Sequence, residues 1–202
     1  MALEQSVARL KAAADPTRVR LLLLLARGEA TVGELQGILG QSQPRVSRHL
    51  RLLSEARLVE RFRDGQSIYY RLSGEPFARA IAGLLADEVG QGDAQADATA
   101  FNQLLGARRK AAHSGAALLA SAPPGSRPPP ETLHTALDEL LQDFEFKDAL
   151  DIGCGGGTLL AWLGTRADNV TGVDAARAMR LLSRARTQAE GLSNCTVRSA
   201  DL

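Results

Sequence analysis

The sequence predicts a chain of two modules, a mainly helical N-terminal one closed by a β-hairpin and a C-terminal α/β one. Three observations predict it. A short helix, a glycine turn and a second helix fill residues 31–55, and two alternating segments around Asp64-Gly65 follow them. Further on, "ALDIGCGGGTLLAWL" at 149–163 reads as strand, glycine turn and helix. Charge divides along the same line. Residues 1–73 hold twelve Lys/Arg against seven Asp/Glu, net +5, whereas 74–202 hold twelve against sixteen, net −4.

Composition excludes several classes. No apolar run approaches the roughly 20 residues of a membrane helix; "LLLLL" at 21–25 lies between Arg20 and Arg27. The start "MALEQSVARLK" has no long apolar stretch, so no signal peptide is read and a cytoplasmic location is expected. Cys154 and Cys195 make no disulfide framework, and His49, His113 and His134 are too scattered for a zinc site, so no metal is expected.

The first module is built from helices with readable ends. Leu3, Val7 and Leu10 form a helical stripe over 3–14. Asp15 is placed to cap the next helix, with Pro16 at its first position and Gly28 at its end. Thr31 and Glu34 have the spacing of a capping box, and Gly40 makes the turn. Ser42 is placed to cap a fourth helix, "QPRVSRHLRLLSEA". In that helix Val46, Leu50 and Leu53 share one face with His49 beside them, while Ser47, Arg48 and Arg51 lie opposite and Arg45 flanks them. This is a helix-turn-helix whose second helix is predicted to enter the DNA major groove, where arginine forks suit guanine edges or phosphate. Ser42 and Gln43 sit where they reach base edges. The hairpin 58–63 and 67–72 is the wing, with Arg61 and Arg63 near its tip. The predicted DNA contacts are therefore Ser42, Gln43, Arg45, Ser47, Arg48, Arg51, Arg61 and Arg63.

Residues 6–73, from "LKAAADPTRVRLL" through "TVGELQGILGQSQPRVSRHLRLLSEARLVERFRDGQSIYYRL", resemble the ArsR/SmtB-type winged-helix repressors. The resemblance implies a homodimer, joined by the first helix and the helix after the wing, on a pseudo-palindromic operator. "FARAIAGLLADEV" at 77–89 fits that last helix through Phe77, Ile81, Leu84 and Leu85. Arg57 stands where such sequences have glycine, so the resemblance implies that it takes a left-handed backbone or shifts the helix cap, at about 1 kcal/mol. Metal sensing does not carry over: the third helix reads "ELQGILG" without cysteine, and 77–89 has no histidine.

Residues 1–90 are thus read as the DNA-binding and dimerisation domain, and 91–131 as a helical connector ending in the Pro-rich "SAPPGSRPPP". "GQGDAQADA" at 90–98 reads as a loop, with a helix over 98–113 carrying Phe101, Leu104 and Leu105. A helix over 132–143 opens the second module, 132–202.

The second module reads strand–helix–strand–helix–strand, the first half of a doubly wound, Rossmann-like sheet, with ligand expected at the carboxyl ends of the strands. Gly153, Gly155 and Gly157 allow the tight turn; a dinucleotide fingerprint would want glycine where Thr158 stands. "LDIGCGGG" instead resembles motif I of class I S-adenosylmethionine-dependent methyltransferases. That resemblance implies Asp151, Gly153, Cys154, Gly155 and Gly157 at the ligand, Asp174 on the ribose hydroxyls and Asp201 near the adenine amino group. The order of modules is similar to ArsR-type regulators fused to methyltransferase-like domains. A full domain of that class continues for roughly 100 residues, so "ALDI" is expected as an exposed apolar edge and residues 1–202 alone as inactive. The leading expectation is a dimeric DNA-binding repressor with an S-adenosylmethionine- or S-adenosylhomocysteine-type module. The alternatives are a methyltransferase with a regulatory winged helix, lacking its acceptor half, and a remnant serving only as a structural prop.

Overall fold

The computed structural model describes residues 2–64, 66–88, 92–119, 130–141, 144 and 146–200. They fall into two compact units, divided between Leu104 and Leu105.

The N-terminal unit begins with α1 (Ala2–Ala13) and α2 (Pro16–Arg27). The Asp15 carboxylate caps α2 by accepting from the Arg18 N–H at 3.0 Å, with Pro16 in the first turn. A two-residue strand, β1 (Ala30–Thr31), leads into α3 (Val32–Leu39), whose capping box is complete: Thr31 accepts from Glu34 N–H while Glu34 accepts from Thr31 N–H. Gly40, at φ 64°, takes the left-handed turn into α4 (Gln43–Glu55). Arg57 follows at φ 56°, so of the two outcomes expected where glycine is missing it takes the left-handed backbone.

The wing is β2 (Val59–Asp64) and β3 (Ser67–Leu72), antiparallel, with β1 on the other side of β3. Asp64 pairs with Ser67, so Asp64 belongs to the strand and not to the Asp64-Gly65 turn read from the sequence. The β1 pairing, Ala30 against Tyr70, was not legible, because two residues show no alternation.

Leu21, Leu22, Leu24 and Leu25 of the leucine run, with Leu35, Val46, Leu50, Leu53 and Leu58, form a core almost without exposure. Each fully buried leucine contributes about 1.5–3 kcal/mol relative to exposure. Two helices keep apolar residues outside it. On α1, Leu3 is 77% and Leu10 53% exposed; on α5 (Pro76–Glu88), Leu84 is 64% exposed while Ala78 and Ala82 face the core.

The loop expected at 90–98 is mostly helix: α6 (Asp93–Leu119) starts five residues before the predicted one. The cause is tertiary. Arg20 of α2 donates to both oxygens of the buried Asp97, at 2.5 and 2.7 Å, and Ala98 and Phe101 bury beside it. The prolines of "SAPPGSRPPP" lie outside the described residues except Pro130.

The C-terminal unit contains α7 (Pro130–Leu141), β4 (Phe146–Ile152), α8 (Thr158–Gly164), β5 (Ala167–Asp174), α9 (Arg177–Ala189) and β6 (Cys195–Ser199). The three strands are parallel in the order β4-β5-β6. Cys154, Leu160, Val170 and Val197 make the core between the sheet and α8. A Cβ on Gly172 would meet the Leu160 methyls at 2.9 and 3.0 Å, so glycine permits that close approach. Trp162 on α8 donates its indole N–H to Asp138 of α7 at 3.1 Å, and Arg166 lies 4.2 Å over the Trp162 ring. Among the described residues β4 is an edge strand, with Leu150 and Ile152 each 60% exposed on the face turned from this core.

Candidate nucleic-acid interface and glycine-loop site

The two faces of α4 differ as its periodicity predicts. Val46, Leu50 and Leu53 are buried, while Arg45, Arg48 and Arg51 are exposed together with Ser42 and Gln43; Ser47 is half-buried. Ser42 stands at the N-cap position in an extended conformation, but its hydroxyl makes no capping bond, against the sequence reading. Arg51 lies 3.7 Å from Glu55, an exposed pair of little energetic weight. A link invisible in the sequence steadies the turn: Gln41 donates to the Thr17 hydroxyl of α2 at 3.0 Å.

On the wing, Arg61 and Arg63 are exposed on one face of β2, opposite Tyr70 and Ile68. Phe62 between them stacks on Tyr69, with ring centres 5.8 Å apart. The wing's base is held by Glu60, which accepts from Arg71 at 2.7 and 3.0 Å. Burial pushes the Glu60 carboxyl up, but Arg71, helped by the Gly74 N–H and the Ser73 hydroxyl, outweighs it and holds the group below the ordinary glutamate value. Glu75 meets Arg9 of α1 at 2.5 Å and Arg57 at 3.8 Å, so an ion pair reaches the left-handed residue.

In the C-terminal unit the glycine loop joins β4 to α8. Gly153, Gly155 and Gly157 have φ of 74°, 52° and 78°. A Cβ on Gly153 would meet nothing within 4 Å, so its glycine is a matter of conformation alone. One on Gly157 would stand 2.5 Å from the Ser183 hydroxyl, so that glycine also lets the loop lie against α9. The Gly153 and Cys154 N–H groups both donate to the Val173 carbonyl, at 2.8 and 3.0 Å.

Asp174 completes the loop. Its carboxylate accepts from Gly155 N–H at 2.9 Å and from Ala176 N–H at 2.7 Å, while Arg180 donates to the Asp174 and Ala175 carbonyls. Asp151 is buried nearby and its Oδ2 has no hydrogen-bond partner. Burial, then the charge of Asp174, pushes its carboxyl above the ordinary aspartate value. Cys154 turns its side chain into the core, and burial raises the thiol to about 11, which excludes a thiolate at neutral pH. The structure thus brings Asp151, Gly153, Gly155, Gly157 and Asp174 to one end of the sheet, with Cys154 contributing backbone only. Asp201 lies outside the described residues. Ser183 and Arg180, which the sequence reading missed, hold the loop and the strand end from α9; a buried arginine on a helix gives no pattern by which to find it.

Among the described residues no cluster of three or more His, Cys, Asp or Glu could hold a metal ion, and no helix is long and apolar enough to cross a membrane.

Comparison with known proteins adds two family matches. The pattern described as "Bacterial regulatory protein, arsR family" matches residues 15–61, and that described as "Methyltransferase domain" matches residues 149–202. The biofilm growth-associated repressor of Agrobacterium fabrum is 43% identical over 77 residues, 38% of this chain and 66% of that protein. The transcriptional repressor SdpR of Bacillus subtilis is 41% identical over 63 residues, 31% of this chain and 70% of SdpR. Among solved structures, HlyU from Vibrio cholerae is 33% identical, covering 45% of this chain and 97% of HlyU at a TM-score of 0.42. The chain spans about half to two thirds of the length of three of its curated relatives, from 48% to 66%.

Proposed function

From a chain that belongs to the arsR family of bacterial regulatory proteins, with a methyltransferase-domain match behind the family segment, we infer a homodimeric DNA-binding repressor with an S-adenosyl-binding module. The observation that carries it is α4, whose arginine face is exposed over a fully buried apolar face. Arg45, Arg48 and Arg51 offer guanidinium forks to guanine edges and phosphates, and Ser42, Gln43 and Ser47 lie on the same helix start. Arg61 and Arg63 of the wing serve phosphate or the minor groove. The exposed Leu3, Leu10 and Leu84 support dimerisation through α1 and α5. The two relatives described above are named as repressors, which supports that sign of regulation.

The glycine-loop site fits an S-adenosyl ligand. A buried carboxylate oxygen without a partner, on Asp151, suits a ligand that brings donors or positive charge, and Asp174 at the end of β5 suits the ribose hydroxyls. Asp174 must first release the Gly155 N–H, or share its oxygens between that donor and the ligand. S-adenosylmethionine supplies an activated methyl group when bound; regulation requires only that ligand prefer one of the DNA-competent and DNA-incompetent states. With no cysteine on α3 and no histidine on α5, the signal enters here and not through a metal.

Calorimetry of the 202-residue chain with S-adenosylhomocysteine tests the module. Heat that Asp174→Ala abolishes supports it; an unresponsive wild-type chain leaves the C-terminal unit as a structural prop.

A further inference from the structure

On α4, between the buried Val46 and Leu50, lies His49, whose side chain is only 12% exposed. Its Nδ1 has no hydrogen-bond partner, yet lies 3.7 Å from Oδ1 of Asp15, too far for a bond. That same Asp15 oxygen caps α2 through Arg18 N–H. One carboxylate therefore stands between the N-terminus of α2 and the helix that carries the arginine face.

The charges around His49 come from both helices: Asp15 and Arg18 from α2 and its cap, Arg45 and Arg48 from α4 itself. The Arg18 guanidinium is held by the Lys11 and Ala12 carbonyls at the end of α1, which also packs here. Burial first, then the three arginines, hold the imidazole below its ordinary value against the opposing pull of Asp15. In the free protein this environment disfavours the imidazolium, and Nδ1 stands without a bond to Asp15.

We propose that His49 and Asp15 form a protonation-linked latch that seats α4 when DNA occupies its arginine face. The inference rests on the DNA-binding reading of that face. Phosphates beside Arg45 and Arg48 cancel the repulsion those arginines exert on a proton at His49. The imidazole then takes a proton from water and, as imidazolium, donates Nδ1–H to Asp15, which keeps Arg18 N–H as its other donor. His49 is a positioning residue; it touches no base.

The sign follows from linkage. The complex holds more protons than the free protein between the two midpoints of His49, so affinity rises as pH falls through that window. One proton limits the slope to about tenfold per pH unit.

The test uses the full 202-residue chain and a duplex that the protein itself retains from a random-sequence pool. Affinity is measured at constant ionic strength from about pH 8 down to about pH 5.5, the range in which histidine titrates. The wild type is expected to tighten about three- to tenfold across it. His49→Gln should be flat, and Asp15→Asn, which keeps an N-cap, should shift the rise to lower pH. The His49 ring resonance should titrate at higher pH in the complex than in the free chain, which needs no variant to fold. Equal slopes in wild type and His49→Gln, or equal midpoints free and bound, overturn the latch while leaving DNA binding intact. Retention of no duplex at any pH overturns the DNA-binding reading, and the latch with it.

Discussion

Among the described residues the N-terminal unit packs helices and wing around its core, whereas the C-terminal unit covers one face of its sheet. In the first, α2, α3, α4 and the wing surround Leu21, Leu35, Leu50 and Leu58, and most of the exposed large apolar side chains lie on α1 and α5. In the second, α8 packs on the face carrying Val170 and Val197 while Leu150 and Ile152 on β4 face outward. The polar machinery differs in the same way. The arginine face rests on a filled core, so it is rigid by packing. The glycine loop is held by hydrogen bonds and a close approach to α9 instead, through Val173, Asp174 and Ser183.

That contrast is easiest to break with two leucines of one size. Leu50→Ala should cost about 2–5 kcal/mol, because it opens a cavity in a fully packed core. Leu150→Ala should stay within about 1 kcal/mol, because the residue is already 60% exposed. The chain supplies its own reporters: both tyrosines, Tyr69 and Tyr70, lie in β3, and the sole tryptophan, Trp162, lies in α8. Urea unfolding followed separately by tyrosine and tryptophan signals gives each unit its own transition. A large loss from Leu150→Ala in the tryptophan signal would show that β4's outer face is covered in solution.

A second comparison separates the two groups of arginines. Arg48→Ala should cost about 1–3 kcal/mol and relax the base preference at one position of the selected duplex. Arg63→Ala should weaken every duplex alike and lower the salt slope by about one. Binding selections with each variant, repeated at several salt concentrations, measure both. If Arg48→Ala weakens all sequences equally, α4 supplies phosphate contacts only.

Local chemistry made much of this legible. Asp15, the Thr31–Glu34 box and Gly40 were each readable because a helix end is decided within four or five residues, whereas the left-handed Arg57 was one of two outcomes that the family resemblance implied. The loop glycines and the strand ending at Asp174 were readable for the same reason. What stayed hidden depends on distant partners. Residues 93–97 are small and polar and look like a loop until Arg20 binds Asp97 from 77 positions away. The pairing of β1 with β3 and the contact between Asp15 and His49 also join residues far apart in sequence. Asp174 was legible as an acidic residue at a strand end, but not as the acceptor for the Gly155 N–H, which exists only once β4 and β5 lie side by side.

The smallest expected effect concerns acid, and it sets the units in opposite directions. Glu60 in the wing base is held below its ordinary value by Arg71, so its stabilisation is present above the unfolded glutamate value and fades as pH falls through the folded one. Asp151 is pushed above its ordinary value by burial and by Asp174, so its contribution is fully present at low pH and fades as pH rises through the folded value. Acidification from about pH 6 toward about pH 4, the carboxylate range, should therefore weaken the tyrosine-detected transition and strengthen the tryptophan-detected one. Asp151→Asn, which cannot ionise, should remove the second trend and leave the first. A tryptophan transition that does not move in the wild type would mean that Asp151 has found a donor for its unpartnered oxygen, which is the role assigned above to a bound ligand.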